Sequence, residues 1–117
     1  MKKLILALAL LPTMAHAVTL EQCRAMTDDI SFIHAVDAQC LKTADKKTHF
    51  DGNMEVFYNA GCTDMVTKAE FSLAIDREII GIDDIVKSLK KGVKFCKQED
   101  AIKTYQEAMS EIASFNK

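Results

Sequence analysis

The stretch TLEQCRAMTDDISFIHAVDAQC, Thr19 to Cys40, decides the fold class. Thr19 and Gln22 have the spacing of a capping box, in which each side chain satisfies a backbone amide that the first helical turn leaves unpaired. Cys23, Met26, Ile30, Ile33 and Cys40 then recur at spacings of three, four, three and seven. That is the period of one helix face, not the alternation of a strand. The segment predicts a long amphipathic helix reaching about Leu41.

The same period recurs downstream. Residues 43–51 are polar and aperiodic and predict a loop. A short helix is expected over residues 53–60, carrying Met54, Phe57 and Tyr58, with Gly61 as its C-terminal cap. Thr63-Asp64 can open a third helix, with Gly81 as its expected stop. Asp83 is the expected N-cap of a fourth helix, whose stripe is Ile82, Ile85, Val86, Leu89, Val93 and Cys96. A last helix after Glu99-Asp100 carries Ile102, Tyr105, Met109 and Ile112. The fold expected is all-α, a small bundle of four to five helices stapled by two disulfides.

Upstream of Thr19 the chain reads as a secretory leader. Met1-Lys2-Lys3 is basic, residues 4–11 are an unbroken apolar run, and Ala15-His16-Ala17 is a small-x-small cleavage pattern. The run is too short to span a bilayer. The expected organisation is a signal peptide at 1–17 and one helical domain at 18–117, soluble in the periplasm after cleavage. Cleavage removes Lys2 and Lys3 from the 15 basic side chains, leaving 13 against 17 acidic ones and a net charge near −4. That balance argues against nucleic-acid binding. Pro12 is the only proline, so none interrupts the mature helices.

All four cysteines lie beyond the leader, and an even count in a small exported domain predicts two disulfides. If the first helix is continuous, Cys23 and Cys40 stand about 25 Å apart at ~1.5 Å per residue. A disulfide needs Cα atoms within about 7 Å, and only Thr27-Asp28-Asp29 hints at a break. In an up-down bundle the start of helix one and the end of helix four share an end. The expected pairing is therefore Cys23 with Cys96 and Cys40 with Cys62, the other two arrangements staying open. Each bridge is worth roughly 3 to 4 kcal/mol by loop entropy.

Few residues suggest chemistry. His34 and Asp37, three apart, form a candidate pH-sensitive pair on the apolar arc of helix one, although an ordinary polar pair at the core edge has the same spacing. Phe32 points the opposite way, toward solvent or a partner. In the third helix Lys68, Ser72 and Asp76 run between two apolar stripes, as a buried polar seam or the lining of a groove would, and partial exposure with the charges facing water is expected. Lys87, Lys90, Lys91, Lys94 and Lys97 are placed opposite the apolar stripe of the fourth helix, as a solvated face or a footprint for an acidic partner. Residues 76–87 offer Asp76, Glu78 and Gly81 at calcium-loop positions, but Ile80 and Lys87 stand where ligands are needed. No metal, no cofactor and no catalytic residue is expected, since the serines sit in no nucleophile motif.

The leader, helical build and disulfides resemble the periplasmic immunity proteins of type VI secretion systems. Cys23 at the start of the first helix, and Phe95-Cys96-Lys97-Gln98 before the last, resemble the small acid-stress chaperones of the periplasm, which bridge such cysteines. The expected function is a non-catalytic periplasmic binding protein, an inhibitor or immunity-type protein for a cell-envelope enzyme. The alternative is an acid-stress chaperone that opens at low pH. A protein partner is expected, contacting Phe32, Tyr58 or the lysines, and nothing in the pattern sets an oligomeric state.

Overall fold

The computed structural model describes residues 18–41 and 49–115. The leader at 1–17 and most of the loop expected at 43–51 lie outside the described residues. Among the described residues four α-helices follow one another: α1 Leu20–Cys40, α2 Phe50–Asn59, α3 Lys68–Ser88 and α4 Glu99–Ala113. Short 3₁₀ turns at Cys62–Asp64 and Phe95–Lys97 precede α3 and α4. Among the described residues no helix is long and apolar enough to cross a membrane.

The capping box forms as expected. The Gln22 amide donates to the Thr19 hydroxyl at 3.0 Å, and the Thr19 amide donates to Gln22 Oε1 at 2.9 Å. From that cap α1 runs unbroken through Thr27-Asp28-Asp29, where the Thr27 hydroxyl donates to the Cys23 carbonyl at 2.8 Å. Cross-helix pairs give the direction of each element. Arg24 meets Glu70 and Asp28 meets Arg77, so α3 runs parallel to α1. Asp37 meets Tyr105 and Asp29 meets Glu111, so α4 runs antiparallel to it. His34 stacks on Phe50 at one end of α2, while Cys62 beyond its other end bonds to Cys23. The topology is up-down-up-down.

Helix α1 is the central element. Near its start Cys23, Met26, Ile30 and Ile33 pack with Phe57, Cys62, Val66, Phe71, Ala108 and Ile112. Toward its end Ala35 and Val36 pack with Ile82 and Phe95 in a second, smaller cluster.

Three sequence expectations are corrected here. Helix α2 begins at Phe50 rather than Asn53, although Gly61 caps the turn after it with φ 87° as expected. Helix α3 begins after Thr67, whose hydroxyl accepts from the Glu70 amide at 3.1 Å, so Thr63-Asp64 does not open it. It then continues through Gly81 to Ser88, and the separate fourth helix expected from Asp83 does not exist. The reason is phase. Phe71, Ala74, Ile75, Ile82 and Val86 keep one face on the core across Gly81, and that packing outweighs glycine's low helix propensity.

The disulfide pairing is corrected with it. Cys23 bonds to Cys62 and Cys40 to Cys96, with Cα separations of 5.3 and 5.7 Å. The expected Cys23–Cys96 and Cys40–Cys62 bridges required a helical reversal at Gly81. Merging two expected helices into one removes that reversal, so residue 96 arrives at the opposite end of α1.

Gly81 supplies a direct check. A Cβ built there meets nothing within 4 Å, and the residue is helical. Gly81→Ala is expected to stabilise the fold by up to about 1 kcal/mol, read as a higher urea midpoint with an unchanged slope. A left-handed cap at Gly81 would instead make the substitution destabilising.

Candidate functional site

The second half of α1 and the facing side of α4 create one buried polar centre. Asp37 lies on the core face of α1, and its side chain is only 4% exposed. An ionised carboxylate at such depth is tolerated only when its oxygens are hydrogen-bonded. The Tyr105 hydroxyl of α4 donates to Oδ1 at 2.9 Å. His49, immediately before α2, places Nδ1 3.1 Å from Oδ2 and 2.8 Å from the Tyr105 oxygen. Its backbone amide also approaches Oδ2 at 3.4 Å.

The three side chains thus form one hydrogen-bonded cluster. Burial first, and then the bond to Asp37, raise the Tyr105 pKa well above its ordinary value, so the phenol keeps its hydrogen and gives it to Asp37. With that hydrogen directed to Asp37, Nδ1 faces two acceptor oxygens, an arrangement that the Nδ1-protonated tautomer satisfies. The His49 side chain is about half exposed. The Cys40–Cys96 bridge and Phe95, Ala101 and Ile102 line an adjoining cavity of about 270 Å³ with Asp37 and Tyr105. Apolar walls with a few converging polar groups are the ordinary form of a ligand pocket.

The expected His34–Asp37 pair is not formed. The carboxylate is committed to His49 and Tyr105, while His34 packs on the Phe50 ring with centroids 4.7 Å apart. His34 Nδ1 is buried with no hydrogen-bond partner among the described residues. Neither true partner of Asp37 carries a local signal. His49 fell in the stretch read as loop, and Tyr105 read as one more member of an apolar stripe.

The expected partner-binding residues separate. Phe32 is half-buried and packs against the Phe95 cluster, so it does not point away from the core. Tyr58 is 67% exposed, as expected. The lysine face is not a helix face. Only Lys87 is on α3, where it pairs with Asp83 at 2.9 Å. Lys90, Lys91 and Lys94 lie in the segment after the helix, and Lys97 ends the 3₁₀ turn before α4. All of them are exposed. In α3, Lys68, Ser72 and Asp76 are exposed.

A second group of carboxyls gathers nearer the start of α1. Asp29 has its pKa pushed from 3.8 up to about 7, chiefly by burial, then by the charges of Glu111 and Asp28 and a hydrogen bond to Glu111. Glu78 of α3 is also raised, by burial first and by Asp28, against the lowering influence of Arg77.

No family model, curated protein or solved structure matches the chain.

The polar centre makes a measurable demand. Tyr105→Phe removes one donor from a buried carboxylate and is expected to cost about 1.5–3 kcal/mol, seen as a lower urea midpoint at pH 7. A loss below about 0.5 kcal/mol, the scale of a neutral surface change, would mean that Asp37 is hydrated and not sealed.

Proposed function

We propose that the protein is a non-catalytic binding protein of the periplasm, an inhibitor or immunity-type partner of a cell-envelope enzyme. The lysine segment after α3 is its contact surface. Two disulfides belong to an oxidising compartment, and the leader pattern supports export to the periplasm.

The observation that carries this reading is the way the segment is held. Leu89 and Phe95 both pack into the smaller cluster, and Cys96 is bonded to Cys40. Between these anchors the Val93 amide donates to the Lys90 carbonyl at 3.0 Å, and Gly92 adopts φ 89°, a conformation that costs glycine little. Lys90, Lys91 and Lys94 thus project from a short tied turn, with Val93 42% exposed among them. A preorganised turn loses little conformational entropy on binding. Clustered cations on a domain of net negative charge favour an acidic partner surface and accelerate encounter with it.

The chaperone alternative requires acid to loosen the bundle, and the Asp29–Glu111 contact works against that. Asp29 has a folded pKa near 7, above its ordinary 3.8. The folded state therefore holds the proton more tightly than the unfolded chain. The contact costs stability above pH 7, and stability from this group grows as pH falls from 7 toward 3.8.

The test uses the oxidised protein with a photo-crosslinking residue at Val93, applied to envelope extract, followed by association kinetics with the recovered protein. The expected partner is acidic at the contact. Changing Lys90, Lys91 and Lys94 together to Gln should leave the circular dichroism unchanged. It should slow association at low salt about tenfold and flatten the salt dependence. Equal association rates for the two forms would overturn the assignment of this surface. Loss of helicity between pH 7 and pH 4, with apolar dye binding, would favour the chaperone.

A further inference from the structure

The groove between α2 and α3 is neither part of the Asp37 centre nor of the lysine turn. It encloses about 380 Å³, more than the cavity beside Asp37. Its floor is rigid. Phe57 and Phe71 meet edge to face with centroids 5.2 Å apart and are 1% and 8% exposed. Met54 and Ile75 form half-buried walls around them. A groove already floored by packed rings needs little reorganisation to accept an apolar chain.

Among the described residues one charged side chain lines it, Lys68. The other cations of α3 are neutralised within the molecule, Arg77 by Asp28 and Lys87 by Asp83. The carboxylate nearest Lys68 in sequence, Glu70, is held by Arg24 at 2.9 Å. Among the described residues Lys68 has no ion pair. Its hydrocarbon stem suits an apolar wall while its ammonium stays at the rim. Ser72 lines the same groove.

We propose that this groove binds a single-chain amphiphile with an anionic headgroup, of the alkyl carboxylate class. The tail lies over Phe57 and Phe71 and the headgroup meets Lys68. At roughly 30 Å³ for a water-sized group, the space holds on the order of ten heavy atoms, the length of a medium-chain tail. The charge of Lys68 selects an anion over a cationic or neutral headgroup of equal chain length.

The experiment titrates the oxidised protein with decanoate, decyltrimethylammonium and decanol, each below its micelle concentration, while following the methyl NMR signals of Met54 and Ile75. Saturable shifts at both methyls are expected with decanoate, at an affinity at least tenfold above the other two. Lys68→Glu leaves the fold intact, because an acidic residue suits the first turn of a helix. It should weaken decanoate at least tenfold and reverse the preference toward decyltrimethylammonium. Ser72→Trp, at an exposed position on the rim, should fill the groove and abolish both responses. Three outcomes overturn the proposal: equal binding of all three headgroups, decanoate affinity unaffected by Lys68→Glu, or no saturable shift at Met54 and Ile75. The last includes the case in which only a peptide occupies the groove.

Discussion

Helix α1 is fastened at both ends, and the rest of the structure is arranged around that fact. Cys23, in its first turn, is bonded to Cys62, and Cys40, its last residue, is bonded to Cys96. The bridges close sequence separations of 39 and 56 residues, each worth about 4 kcal/mol if chain entropy dominates. Neither tether duplicates the other. One holds the α2–α3 connection against the larger apolar cluster, and the other holds the α3–α4 connection against the smaller one. With only modest apolar clusters available, pinning both ends of the central helix restrains the unfolded chain where burial alone would leave stability marginal.

The two ends of α1 then acquire different chemistry. Around Cys23–Cys62 the neighbours are aromatic rings and thioethers, and the groove between α2 and α3 opens there. Around Cys40–Cys96 the neighbours are Asp37, His49 and Tyr105, with the lysine turn tied beside them. Asp37 illustrates how closely the packing is coupled. Its carboxylate is buried by α1 meeting α4, and its donors come from α4 and from the residue preceding α2. Three elements must therefore be in place before the charge is satisfied, which links closure of that end to correct assembly of the whole. Asp29 sits at the opposite balance, a carboxyl brought close to Glu111 and Asp28, whose proton is held more firmly by folding.

What the sequence revealed was local, and what it concealed depended on neighbours distant along the chain. The capping box at Thr19, the length of α1, the cap at Gly61 and the start of α4 at Glu99 were legible because each rests on residues a few positions apart. Gly81 misled because a glycine after an apolar run has the signature of a helix stop, although Ile82 and Val86 stay in phase with Phe71, Ala74 and Ile75. That single misreading reversed the direction of everything downstream and with it the cysteine pairing. Asp37 was identified as a special residue but was given the wrong histidine. His34, three residues away, was the visible candidate, while His49 and Tyr105 come from separations of 12 and 68. The lysines are exposed, but beyond Lys87 they are not helical, since α3 ends at Ser88.

The whole architecture depends on the two tethers of α1. Proteolysis of the oxidised protein without reduction, followed by mass spectrometry of the linked peptides, reads them directly. A peptide containing Cys23 joined to one containing Cys62, with Cys40 joined to Cys96, is the predicted result. Cys23 joined to Cys96 would mean that the chain reverses at Gly81 after all, and the up-down-up-down order, the tied lysine turn and the sealed Asp37 would fall with it.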